Sequence, residues 1–126
     1  VQALARETGT AFVWVTHDLG VVAGLADRVA VMYMGRIVET GPTRELLERP
    51  AHPYTAGLIA PIPARNERGR PLAQLPGGPP ARDAAITGCA FRERCARADG
   101  ACRALPPLAG GTRQVRCFHP LAGVAP

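Results

Sequence analysis

Val13-Trp14-Val15-Thr16-His17-Asp18-Leu19 is a short apolar run that ends on a polar corner. Ala11–Thr16 is rich in β-branched and aromatic residues and is bounded by turn formers. The pattern predicts a buried strand there, with Trp14 in the core. Past the corner, Leu19, Val22, Ala23 and Ala26 share one helical face, and Asp18 sits where a first-turn acid is favoured. This predicts a helix over 19–25, closed by Asp27. A second apolar run, Arg28-Val29-Ala30-Val31-Met32-Tyr33-Met34, meets Gly35 and resumes as Arg36-Ile37-Val38-Glu39-Thr40. It predicts a hairpin turning on Met34-Gly35, with both methionines packed in core and turn. Strand, corner and helix in that order put His17 at the carboxyl end of a buried strand, where open α/β sheets hold ligands.

The flanks are simpler. Val1–Glu7 reads as the end of an amphipathic helix, stopped by Thr8-Gly9-Thr10. Gly41-Pro42-Thr43 opens a helix whose apolar face carries Leu46 and Leu47 and which stops at Arg49-Pro50. Gly57 and Pro61 weaken the helical pattern that starts near His52-Pro53-Tyr54-Thr55. Residues 61–80 are dense in proline and glycine and read as a linker or surface strap, pinned by Leu72, Leu75 and Ile86.

The stretch VTHDLGVVAGLADRVAVMYMGRIVETG, residues 15–41, resembles the tail of the nucleotide-binding subunit of ATP-binding-cassette (ABC) transporters. The resemblance makes His17 the switch histidine that senses the terminal phosphate of ATP, a catalytic and ATP-contacting residue. It implies ATP and Mg²⁺ as cofactors and a second ABC ATPase subunit as partner. The chain itself contains no G-x-x-x-x-G-K-[ST] phosphate loop and no lysine. The Ser-Gly-Gly signature and the strand bearing the magnesium aspartate and catalytic glutamate are also missing. The chain therefore reads as a C-terminal portion of such a protein, expected to be inactive in ATP hydrolysis by itself.

The run His52-Pro53-Tyr54-Thr55 resembles the opening of the C-terminal extension of oligopeptide, dipeptide and nickel importer ATPases. This narrower resemblance implies a peripheral subunit on the cytoplasmic face of the membrane. It would work with transmembrane permease subunits and, indirectly, an extracytoplasmic peptide-binding protein. The expected fold is α/β: the C-terminal portion of a P-loop ABC ATPase domain over 1–50, a His-Pro-Tyr segment and linker over 51–84, and a small irregular cysteine-rich extension over 85–126.

The second half carries 10 of the 13 prolines and all 4 cysteines, and it is thin in large apolar residues. Such a segment needs a source of stability other than a core. Cys89, Cys95, Cys102 and Cys117, with their flanks Gly88–Cys95 and Val115–Pro120, resemble the end of the same extension. In a reducing compartment, clustered cysteines bind metal more often than they form disulfides. The spacing lacks the close C-x2-C to C-x4-C knuckles of zinc ribbons, and its width suits a [4Fe–4S] cluster better. Zinc at the same four thiolates is the alternative, as are disulfides or free thiols, and a non-enzymatic metal-binding module is the alternative function. Arg92, Arg94, Arg97 and Arg116 would offset the charge of a thiolate-bound cluster. His119 is a substitute ligand by position, although four cysteines already complete a site. Asp18 reads as a helix-start acid, and His52 and Tyr54 as packing or capping residues.

The net charge is +5, and the excess lies in the second half, where 10 arginines face 4 acids. Those arginines are scattered among alanine, proline and glycine without stacking aromatics, which argues against nucleic acid as a partner. No apolar run approaches the ~20 residues a membrane-spanning helix needs.

Overall fold

The computed structural model describes residues 1–62, 71, 74–81 and 84–121. Its framework is the hairpin of β1 (Arg28–Tyr33) and β2 (Arg36–Pro42). Met34 (φ 48°) and Gly35 (φ 74°) both adopt the left-handed conformation that a tight two-residue hairpin turn requires. A bulge between Val31 and Met32 shifts the register, so that Val31 faces Glu39 while Met32 faces Ile37. Helix α1 (Gln2–Thr8) ends on Gly9 at φ 66°, and α2 (Leu19–Leu25) precedes the hairpin. Helices α3 (Thr43–Glu48) and α4 (Pro53–Ile59) follow it. These boundaries agree closely with the sequence pattern.

The sheet continues into the cysteine segment. After two 3₁₀ turns, Arg92–Arg94 and Gly100–Arg103, come the short strands β3 (Ala109–Gly110) and β4 (Gln114–Val115). β4 pairs antiparallel with β2, giving the order β1-β2-β4-β3. Val31, Tyr33, Val38, Leu46, Ile59 and Phe91 form the core, so the cysteine segment contributes Phe91 to a nucleus built mostly by the hairpin and helices. Arg36 donates to the carbonyls of Ile86 and Gly88, and Arg28 to that of Thr112, which lashes the hairpin to the second half at two more points.

The strap works through Leu75. A Cβ on Gly57 would overlap the Leu75 side chain, so glycine in α4 leaves the notch that Leu75 fills. The helix pattern is weak at Gly57 because clearance there outweighs helix propensity. Arg94 donates to the carbonyls of Pro76 and Gly77 and so fastens the same strap to the cysteine loop. Ile86 is held through its carbonyl by Arg36, and Leu72 lies outside the described residues.

Two expectations fail. Ala11–Thr16 forms no strand, and Val13 (94%), Val15 (93%) and Trp14 (57%) are exposed. A β-rich run is buried only when neighbouring strands and a packed face cover it, and among the described residues nothing pairs with this one. Trp14 is therefore not core. The fold is α/β as expected, and its described sheet is antiparallel. Met32 is 57% exposed as well, because strand alternation puts it on the face opposite Val31 and Tyr33. Met34 does pack against the core.

The least expected feature is a buried ion pair. Glu39 is fully buried, and its carboxylate accepts from four N–H groups: the amides of Ala51 (2.9 Å) and His52 (2.9 Å), and Nε (3.2 Å) and Nη2 (2.8 Å) of Arg113. Arg113 Nη2 also donates to the carbonyl of Arg49. Replacing Glu39 by leucine strands a buried guanidinium and two amides. The expected cost is about 3–5 kcal/mol of folding stability, partly recovered by adding Arg113→Met. Urea denaturation of the single and double variants checks this: equal midpoints for Glu39→Leu and the parent would refute it.

Candidate functional site

His17 sits on the exposed corner before α2. The corner is shaped by three local bonds. The Asp18 amide donates to Thr16 Oγ1 (3.0 Å), and Asp18 Oδ1 accepts from the amides of Gly20 (2.8 Å) and Val21 (3.3 Å). Asp18 is thus the N-cap of α2, as its position suggested. His17, Asp18 and Leu19 line a cleft of about 650 Å³ together with Leu47, Leu58 and Ile62. An open imidazole on a capped corner suits contact with a ligand that arrives from outside this chain.

The His-Pro-Tyr segment is a joint. His52 is the N-cap of α4: its Nδ1 accepts from the Tyr54 amide (3.0 Å), and Pro53 takes the first helical position, where no N–H is needed. The amide of His52 is held by Glu39. Tyr54 packs against Tyr33 (centroids 4.6 Å) and Phe91 (5.4 Å), and the His52 ring lies 5.9 Å from Phe91. His52 and Tyr54 therefore cap and pack, joining the hairpin to the cysteine loop. Burial pushes the His52 imidazole down to about 4, against a smaller opposing pull from Glu39.

The four cysteines come together without disulfides. The amide of Cys89 donates to the carbonyl of Cys102 (3.0 Å). Gly88 permits that approach: it sits at φ 73°, and a Cβ there would strike the carbonyls of Cys102 and Arg103. The thiols feel one another's charge, Cys89 that of Cys102 and Cys95, and Cys117 that of the other three. Burial, chiefly, raises both Cys89 and Cys117 above the usual thiol range. Opposing it, the amides of Phe91 and Arg92 point at the Cys89 sulfur, and the His119 amide donates to Cys117 Sγ (3.3 Å).

No three of the four sulfurs lie within 4.8 Å of one another, since among the described residues only Asp99, Cys102 and His119 meet that distance. Of the expected charge-balancing arginines, two have other work. Arg94 is bonded to Pro76, Gly77 and the Tyr33 hydroxyl, and Arg116 to the carbonyls of Ile37 and Pro106.

Sequence reasoning missed Glu39, Arg113 and Asp99 as organising residues. Glu39 and Arg113 stand 74 residues apart, and no local pattern pairs them. Asp99 carried a signal: an aspartate two residues before the amide it accepts from, that of Ala101, is a cap.

Residues 38–102 match the family model of the oligopeptide/dipeptide transporter, C-terminal region, and the chain belongs to that family. Cys89, Cys95 and Cys102 lie inside the match, while His17 and Cys117 lie outside it. The chain is 42% identical over 120 residues to the oligopeptide transport ATP-binding protein OppD of Salmonella typhimurium, covering 94% of this chain and 36% of that protein. It is 44% identical to a putative peptide import ATP-binding protein of Brucella ovis, covering 92% of this chain and 38% of that one. A probable peptide ABC transporter ATP-binding protein of Sinorhizobium fredii is 48% identical over 107 residues, covering 83% of this chain and 32% of its own length. The chain thus spans about a third of the length of the relatives it matches.

His52 makes stability depend on pH. The native chain keeps this imidazole neutral down to about pH 4, whereas an ordinary histidine takes up its proton near 6.5. Between those values the unfolded chain binds more protons, so stability rises with pH and the His52 contribution is complete above the upper value. About 3 kcal/mol is expected to be lost on descending through the window. His52→Asn keeps a capping oxygen and should flatten that slope. Denaturant midpoints at pH 4.5 and 7 (roughly the ends of the window) check it, and an equal slope in parent and variant would count against this origin.

Proposed function

We propose that this chain serves in the ATP-binding subunit of an ABC importer of di- or oligopeptides. The observation that carries the reading is the family match over residues 38–102, together with relatives whose names are peptide import ATP-binding proteins. His17 is the residue that would touch nucleotide. It stands on an open corner, held by the Asp18 cap and backed by α2. From there its imidazole would hydrogen-bond the γ-phosphate and help hold the attacking water. ATP and Mg²⁺ would be held mainly by elements that this chain does not contain. The partners are a second ATPase subunit, permease subunits and, indirectly, a peptide-binding protein. The place of work is the cytoplasmic face of the membrane; among the described residues no helix is long and apolar enough to cross a bilayer.

Within that protein, Cys89, Cys95, Cys102 and Cys117 would hold a [4Fe–4S] cluster. Their mutual electrostatic reach and the amides aimed at the sulfurs of Cys89 and Cys117 support this. A single zinc at all four thiolates has less support. Tetrahedral geometry holds zinc-bound sulfurs about 3.8 Å apart, and no three of these sulfurs gather even within 4.8 Å. The cluster, when bound, supplies four metal–thiolate links that staple residues 85–120. The residues do the rest: Gly88 lets Cys89 approach Cys102, and Phe91 anchors the loop in the core.

In the intact ATP-binding subunit, His17→Ala is expected to cut ATP hydrolysis by roughly 10²-fold while nucleotide affinity changes little, as when a contact made in the transition state is lost. An unchanged turnover rate rejects the switch role. Anaerobically purified chain is expected to be brown, with broad absorption near about 400 nm, and each single Cys→Ser variant should lose the colour. Colourless protein after reconstitution with iron and sulfide rejects the cluster.

A further inference from the structure

Among the described residues, the one group of side chains already at the spacing of a mononuclear metal is not the cysteine quartet. It is Asp99, Cys102 and His119, whose ligand atoms all lie within 4.8 Å of one another. We propose that these three residues form a site for a single divalent cation of the zinc class, occupied when Cys102 is not engaged in a cluster.

The backbone builds the site. Asp99 caps the 3₁₀ turn Gly100–Arg103, its Oδ1 accepting from the Ala101 amide (2.9 Å). Asp99 as the cap and Cys102 within the turn bring their ligand atoms within 4.8 Å of each other. His119 arrives from the segment beyond β4, its amide already bound to Cys117 Sγ. Its Nε2 is closed off from solvent and lies 2.8 Å from Asp99 Oδ2, out of line for a ring N–H hydrogen bond. His119 and Asp99 thus stand as a close ion pair that holds Asp99 below the usual carboxylate range, and a buried sulfur completes the triangle.

A carboxylate, a thiolate and an imidazole are a donor set that suits zinc, and three protein ligands leave the fourth position to water. Access exists on one side. Asp99 lines a polar cleft of about 660 Å³ in which Arg92 and Arg103 are balanced by Glu93 and Asp99 itself. The [4Fe–4S] reading assigns Cys102 to a different partner, so the two occupants exclude each other. The site would hold metal in protein that has not received its cluster.

Cobalt(II) added to the reduced, metal-free chain is the probe. The expected result is one ion per chain, displaced by zinc, with thiolate-to-cobalt absorption of one-sulfur intensity. Asp99→Asn retains a capping oxygen and should weaken cobalt binding roughly 10-fold or more, with circular dichroism unchanged. Cys95→Ser should leave cobalt binding as it is. Absorption of three- or four-thiolate intensity that falls in Cys95→Ser would overturn the proposal, as would the absence of saturable binding. Reconstitution of Asp99→Asn with iron and sulfide separates the two readings. A brown product that has lost the cobalt site supports a distinct mononuclear site, whereas loss of both makes Asp99 a folding residue and sinks it. Cobalt binding by a chain that never turns brown removes the cluster reading alone.

Discussion

The carboxylate of Glu39 fixes how three distant parts of the chain meet. It belongs to the second strand of the hairpin, yet none of its bonds is to that hairpin. It holds the amides that lead into α4, and it holds Arg113, whose neighbours form β4. Taking a carboxylate and a guanidinium out of water is unfavourable unless each finds near-complete bonding. Here both carboxylate oxygens are used, and Arg113 also reaches the carbonyl of Arg49. Gly41 belongs to the same arrangement, since the stem of Arg113 lies where a Cβ would stand. An alternative packing would leave a charge buried alone, so the pair selects one register between hairpin, joint and extension.

From that fixed point the rest of the architecture follows by short steps. With the Ala51 and His52 amides held, the His52 cap places α4, and Tyr54 turns toward Tyr33 and Phe91. Phe91 lies between Cys89 and Cys95, so the aromatic cluster also sets where the cysteine loop sits. α4 also presents Leu58 to the cleft that His17 lines. The His-Pro-Tyr segment thus lies between the two candidate sites and is packed toward both.

Much of this was legible because the signals are local. The helix over 19–25, its Asp18 cap, the Met34-Gly35 turn and the Pro42-Thr43 helix start depend on neighbours within a few residues, and each appears where the pattern put it. His52 and Tyr54 read correctly as cap and packing residues for the same reason. The failures share a cause. Ala11–Thr16 has the composition of a core strand, but composition states only that a partner is needed, and the described residues supply none. Met32 belongs to an apolar run whose two faces the sequence does not distinguish. Glu39 and Arg113 find each other across 74 residues, and a lone glutamate at a strand end looks like any solvated one. Of the proposed metal sites, the restriction of four cysteines to one segment was visible. The Asp99–Cys102–His119 triangle depends on a 3₁₀ turn and a returning loop that spacing does not encode.

The uncovered run at Phe12–Val15 also governs how the chain behaves in bulk solution. It combines aromatic and β-branched side chains, carries no charge, contains no proline and pairs with no strand among the described residues. Such a segment is a template for intermolecular cross-β stacking, and gatekeeper charges are what normally interrupt it. The nearest formal charges are Glu7 on one side and Asp18 on the other, which leaves the run itself ungated. With nothing among the described residues covering that run, the net charge of +5 is what opposes such stacking in concentrated samples.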